Sequence, residues 1–218
     1  YYTLTEVVRR DIAQHYNNIH YMDKRVGEII SKLEADGEAD NTIIIWTTDH
    51  GDGLPRSKRE VYDSGIKVPL IIYWPERFRP RNHLPGGQSD SLISFVDLGP
   101  SILSLAGLTP PEHMHGSARF GTQKIKERTH IYAAKDRFDE HYFHERAVRT
   151  HKYKYIRNYQ PGLPGGRHLI YRDKQDIMQD LWEHLAERKL NSQQSIWFSP
   201  QPKESVYDVL EDPYEVNN

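Results

Sequence analysis

The chain has 218 residues, enough for one large domain or a medium domain with a smaller one appended, and its 37% hydrophobic and 11% aromatic content fits a folded protein rather than a disordered one. Lys and Arg number 29 against 31 Asp and Glu, a net charge of −2 that gives no basis for a nucleic-acid partner or a polybasic membrane surface. The apolar runs are too short to span a bilayer, and the lack of cysteine excludes a disulfide framework and a thiol nucleophile while leaving the compartment open.

Position 1 is Tyr rather than Met and sits at the edge of a helical pattern, so the sequence reads as the C-terminal part of a longer protein. Apolar residues at Val8, Ile12, Tyr16, Ile19, Met22, Val26, Ile29, Ile30 and Leu33 recur every three or four positions. That spacing predicts an amphipathic helix from Thr5 to about Leu33, stopped by Gly37 and expected to cover one face of a sheet. His15 and His20 fall on its polar face and are expected to be solvated.

Ile43 to Thr48 and Val68 to Trp74 are apolar runs without alternation, which predicts strands buried on both faces. A helix, a buried strand, a loop and a second buried strand together suggest an open, largely parallel α/β sheet. Arg77 to Ser89 reads as a Pro/Gly-rich surface loop, and Ser94 to Leu105 as a short helix with Asp97 near its start and Gly107 past its end. Thr109-Pro110-Pro111 breaks the chain and marks a boundary between a first unit, 1–108, and a second, 109–218.

The second unit changes texture. Ile131 to Ala134, Ala147 to Thr150, Tyr153 to Ile156 and Ser205 to Asp208 are short β-prone runs that predict a small antiparallel sheet, with His151-Lys152 at a hairpin tip. Gln160 to Arg167 is a Pro/Gly loop, and Asp173 to Arg188 a helix with Ile177, Leu181 and Leu185 on one face.

The polar centre lies between the two apolar strands. In an open α/β sheet, ligands gather beyond the carboxyl ends of the strands, where Asp49 and His50 stand. On a tight turn both side chains can face one ion, with Gly51 supplying backbone freedom. Carboxylate and imidazole together suit a divalent cation, with manganese or zinc open on chemistry alone, although two ligands do not complete a site. The bland alternative is a capping Asp beside a structural His. Arg56 and Lys58 in the following loop add positive charge suited to an anionic substrate.

Asp49-His50-Gly51, then Lys58, then Tyr62-Asp63-x-Gly65-x-Lys67-Val68-Pro69, resembles the second half of the type I, formylglycine-dependent sulfatase family. Ser94 to Pro100, Lys154-Tyr155-Ile156-Arg157-Asn158, Tyr207-Asp208 and Asp212-Pro213-Tyr214-Glu215 resemble it too, so the likeness covers the chain. The resemblance implies an alkaline-phosphatase-like α/β domain, its C-terminal portion here in 1–108, followed by a smaller α+β subdomain in 109–218. It implies Asp49 and His50 as ligands to one divalent ion, usually calcium, and Lys58 as the catalytic group touching the sulfate oxygens, with Arg56 beside it.

The family's nucleophile is a formylglycine made from Cys or Ser in a Cys/Ser-x-Pro-x-Arg motif, which is absent from these residues. The resemblance therefore places it in a missing N-terminal half and implies that this chain alone does not turn over. It also implies a sulfated carbohydrate substrate and a periplasmic or secreted location, and it sets no oligomeric state. Asp136 to Glu140 is expected to line the pocket, with Arg137 and Asp139 binding substrate. Arg146-Ala147-Val148 with Asn158 leans toward heparan N-sulfatase-like members, and His113 and His115 stand near the expected rim. Two other readings compete: a phosphodiesterase or phosphonate hydrolase of the same superfamily, and a degenerate carbohydrate-binding module.

Overall fold

The structure, a computed structural model, describes residues 1–80, 85–121 and 127–218. Positions 81–84 of the expected 77–89 loop lie outside the described residues. Helix α1 (Glu6–Ala35) begins where Thr5 Oγ1 accepts the Val8 amide, and it ends before Gly37, whose φ of 74° is the left-handed value glycine adopts freely.

Strand β1 (Ile44–Thr47) leads into the loop that carries the polar centre, then a single turn, α2 (Asp63–Ile66), and strand β2 (Leu70–Tyr73). β1 and β2 pair antiparallel, Ile44 opposite Tyr73 and Thr47 opposite Leu70, where the sequence suggested a largely parallel sheet. A parallel return needs a long crossover, usually a full helix, and the four residues of α2 are too few. The pair is also only half-buried: Ile71 and Tyr73 are exposed, so one face of β2 stays open in this chain. The α/β class itself stands.

The 94–105 segment divides into a 3-10 turn, Phe95–Asp97, and helix α3 (Leu98–Leu105). Asp97 is fully buried, accepts the Ser94 and Ser117 amides, and pairs with Arg128 at 2.6 Å. Its role in the fold is therefore that of a hub rather than a simple helix start.

Strands β3 (Ile131–Lys135), β4 (Glu145–Arg149) and β5 (Tyr153–Asn158) follow. Helices α4 (Asp176–Ala186) and α5 (Ser192–Ser195) then precede β6 (Glu204–Asp208), which completes an antiparallel sheet in the order β3-β4-β5-β6. The Thr150 amide donates to Tyr153 O across His151-Lys152, the expected hairpin tip.

Two cores hold the chain together. In one, Ala147, Ile156, Tyr207 and Val209 pack against Val61 and Tyr62, with Tyr62 and Tyr207 edge to face at 6.1 Å. In the other, Val8 of α1 packs with Ile177, Met178 and Leu181 of α4 and with Trp197. Thr3 and Thr5 hydroxyls donate to the two oxygens of Asp180, and Asp11 accepts the Ile177 amide, so the α1–α4 contact is stitched by hydrogen bonds. Each core draws residues from both sides of Thr109.

The sequence expected α1 to cover a sheet, and the structure packs it on α4. Beyond its first turns α1 leaves Tyr16, Ile19, Met22 and Ile29 exposed. Among the described residues, no helix is long and apolar enough to cross a membrane.

Candidate functional site

The polar centre starts where β1 runs out. Thr47 Oγ1 donates to Pro69 O at 2.7 Å, and Thr48 Oγ1 donates to His50 O at 3.0 Å, fixing the turn that lifts Asp49 and His50 off the strand end. The Gly51 amide then donates to Gly65 O at 2.9 Å. A Cβ on Gly51 would lie 1.8 Å from Ser64 O, and one on Gly65 would lie 2.3 Å from the carbonyls of Ser57 and Glu60. Close backbone approach, rather than the conformational freedom expected from sequence, is therefore why position 51 is glycine.

Asp49 is 87% exposed at its side chain, and His50 Nε2 lies 3.5 Å from its Oδ2. His50 Nδ1 is 2.7 Å from Gly51 O. A carbonyl only accepts, so Nδ1 carries a proton and donates, and Nε2 is the ring nitrogen that faces the Asp49 carboxylate. A backbone carbonyl that orients Nδ1 leaves Nε2 as the nitrogen a metal could take. Among the described residues, no group of three or more His, Cys, Asp or Glu side chains could hold a metal. The pair offers two donors and the remaining positions stay open.

The loop after the turn is folded tightly on itself. Lys58 N donates to Asp52 O, Glu60 N to Ser57 O, and Ser64 Oγ to Arg56 O. His15 of α1, expected to be solvated, instead meets Asp52 at 3.1 Å and braces this loop.

Arg56 does not face an open pocket. It is 3% exposed, its guanidinium donates to Tyr214 O at 2.8 Å and Glu215 O at 2.6 Å, and it lies 3.9 Å over the Tyr62 ring. Its left-handed φ of 59° is the turn that sends it inward. The sequence offered Arg56 as a substrate contact, and the structure makes it a staple between the loop and the chain's last residues.

Lys58 is half-buried, with its ammonium 5.3 Å from the Tyr171 ring centroid. Asp139 comes to the same place: its carboxylate pairs at 2.7 Å with Arg59, whose guanidinium also lies over Tyr171, at 4.6 Å. Arg137 stays within its own turn, donating from Nε to Asp139 O at 3.4 Å. The structure thus brings together Asp49 with His50, and Lys58 with Asp139 through Arg59 and Tyr171.

Arg59 and Tyr171 escaped the sequence reading, because their meeting depends on contacts across more than 100 positions. The ion-pair network behind them escaped it too. Lys154 is fully buried, 2.6 Å from Asp63 and 2.8 Å from Glu215, and Arg149 meets Asp63 at 3.0 Å. Burial raises the Asp63 carboxyl, but the Arg149 hydrogen bond and the Lys154 charge outweigh it and leave the group below its ordinary range. Burial holds Glu215 above its ordinary range against the pull of Lys154. Asp63, Lys154 and Glu215 come from three separate motifs that the sequence singled out, and here they form one contact.

A sequence model described as Sulfatase matches residues 1–108, and one described as N-sulphoglucosamine sulphohydrolase, C-terminal, matches 55–194. The chain belongs to the sulfatase family. Its curated relatives include an ulvan-active sulfatase of Formosa agariphila, 44% identical over 98% of this chain and 35% of that protein. Human N-sulphoglucosamine sulphohydrolase is 23% identical over 98% of this chain and 44% of its own length. A protein solved with its substrate, D-glucosamine-2-N,6-O-disulfate, superimposes with a TM-score of 0.63 at 23% identity, over 92% of this chain and 34% of that one. At that identity the likeness speaks for the shared sulfatase fold. The chain spans between about a third and under half of the length of these proteins.

Proposed function

We propose that the protein carrying this chain is a metal-dependent carbohydrate sulfatase, and that these residues form one wall of its active site. The observation that carries the reading is the setting of His50: with Nδ1 2.7 Å from Gly51 O, Nε2 stands 3.5 Å from the exposed Asp49 carboxylate. Asp49 and His50 would hold the divalent ion, with calcium expected from the family resemblance. When bound, such an ion supplies Lewis-acid stabilisation of sulfate oxygens. Lys58 would neutralise charge on the sulfate group as the S–O or S–N bond breaks.

The 218 residues contain no cysteine, and no Ser-x-Pro-x-Arg either, so a formylglycine would come from residues outside this chain. A sulfated carbohydrate as substrate is supported by the ulvan-active relative and by the glucosamine disulfate of the structural neighbour. The Sulfatase match to 1–108 supports reading that portion as part of the catalytic domain and 109–218 as the appended subdomain. We place the protein in the periplasm or outside the cell on the habit of the family.

The test is an assay of the intact protein on paired sulfate and phosphate esters of one sugar, with and without a chelator. A sulfate preference is expected, lost on chelation and in Asp49→Ala. Lys58→Ala is expected to lose about 2–4 kcal/mol of transition-state stabilisation. A strong phosphate preference would point instead to a phosphodiesterase, wild-type rates in both variants would overturn the roles given to Asp49 and Lys58, and no turnover of either ester would leave a binding module.

A further inference from the structure

The Lys58 loop meets the segment before α4 around one aromatic ring. Two consecutive cations, Lys58 and Arg59, lie over the single ring of Tyr171, at 5.3 and 4.6 Å from its centroid. The ring is not a loose surface group. Leu169 before it is 1% exposed and Arg172 after it 5%, so the backbone carrying Tyr171 is anchored on both sides. Leu169 O accepts the amides of Arg172 and Asp173, closing the turn at whose edge the ring stands, with the tyrosine itself 52% exposed.

The facing backbone is fixed as firmly. Arg59 adopts a left-handed φ of 75°, and its guanidinium meets Asp139, itself left-handed at 47°, at 2.7 Å. Left-handed backbone is unfavourable at residues other than glycine and persists where surrounding contacts impose it. The next residue, Glu60, is buried and reaches Arg172 at 3.9 Å, so adjacent positions on one strand of chain face adjacent positions on the other. Gln175 Nε2 donates to Gly53 O and ties the two segments at a further point. The Asp139 turn is held in its turn by Phe138 and His141, which exchange two backbone hydrogen bonds of 3.0 Å, and by Glu140, which accepts the Ile170 amide.

We propose that Tyr171 is a positioning residue for Lys58, with the Asp139–Arg59 pair as the clamp that sets the distance between them. This rests on the sulfate-contacting role proposed for Lys58. A flexible four-carbon side chain in a solvent-facing loop samples many rotamers. An aromatic face attracts an ammonium without a fixed hydrogen-bond direction, so it narrows that range while leaving the donors free for an anion. The part of the chain after Thr109 would thereby set the rate through a residue that need not touch the sulfate.

The test is a double-mutant cycle in the intact protein, with kcat and KM measured separately. Tyr171→Leu is expected to lower kcat about 2- to 30-fold, the range of a cation–π contact, with KM nearly unchanged. Tyr171→Phe keeps the ring and is expected to restore most of the rate, and Asp139→Asn to reproduce part of the loss. In the Lys58→Ala background, Tyr171→Leu is expected to have no further effect. Full additivity, a loss confined to KM, or a Phe variant as slow as Leu would each overturn the proposal. A wild-type rate in Lys58→Ala alone would overturn the functional reading, and this one with it. Thermal midpoints of all variants separate these outcomes from unfolding, since a half-exposed ring contributes little to the core.

Discussion

Lys135 Nζ donates to Glu60 Oε2 at 2.6 Å with both side chains almost wholly buried. The ammonium also lies 3.8 Å over the Phe143 ring and 3.7 Å from Glu145. This pair joins the loop carrying Lys58 to the first strand of the antiparallel sheet, one of several charge contacts that hold the loop to the rest of the chain. Removing one partner strands the other charge in a low dielectric, which costs about 3–5 kcal/mol. Lys135→Met should therefore lower the urea unfolding free energy by about that much. Lys135→Met combined with Glu60→Gln should recover part of the loss, because the stranded charge is gone.

The Asp63 network makes stability depend on pH. Its folded-state pKa is depressed, the Arg149 hydrogen bond and Lys154 charge prevailing over burial. A group of this kind adds stability that is complete above its unfolded value, about 3.9, and is lost as pH falls through the folded one. The gap in urea midpoint between the wild type and Asp63→Asn should thus be widest near neutrality and shrink as pH drops below about 4. A gap that stayed constant down to pH 2 would contradict the depressed pKa.

Arg56 should behave as a structural residue. Arg56→Lys keeps the charge but cannot donate to Tyr214 O and Glu215 O together from a planar fork. A hydrogen bond to a charged group contributes about 1.5–3 kcal/mol. The expected result is a lowered unfolding midpoint with substrate KM unchanged at permissive temperature. A raised KM without loss of stability would return Arg56 to the binding site.

Two glycines should respond in opposite directions. Gly65→Ala would force a Cβ against two carbonyl oxygens at 2.3 Å, and overpacking of this kind costs about 1–3 kcal/mol or more. Gly27→Ala, in α1 with nothing within 4 Å of the new Cβ, should stabilise by about 0.5–1 kcal/mol. Thermal midpoints of the two variants check both signs at once.

The sequence was most legible where the signal is local. The periodicity from Val8 to Leu33 placed α1 within a residue or two at each end, and Thr5 is its cap. The β-prone runs of the second half became β3 to β6, but which face each strand buries was not legible, since Lys154 and Ser205 turn inward while Tyr153 and Val206 stay exposed. What α1 packs on was not legible, because an apolar stripe states that a helix has a partner and not which one. The direction of the β1–β2 pair was not legible either, since it depends on the length and shape of the intervening loop.

At the site, Asp49, His50 and Lys58 were found from residue type and from the resemblance their spacing carries. The error at Arg56 and the silence at Arg59 have one cause. Two arginines three positions apart in one loop look alike in sequence, and both adopt a left-handed φ, so only the partners brought by the fold set one on two carbonyls and the other on Asp139. By itself, then, the sequence determined most of the elements and the family, and it nominated Asp49, His50 and Lys58 as candidates, because these follow from local pattern and chemistry. The tertiary structure alone decided what the charged residues do. Whether a guanidinium serves a ligand or the fold depends on which carbonyls, carboxylates and rings reach it from more than 70 positions away, as Tyr214 and Glu215 reach Arg56, Tyr171 and Asp139 reach Arg59, and Glu60 reaches Lys135.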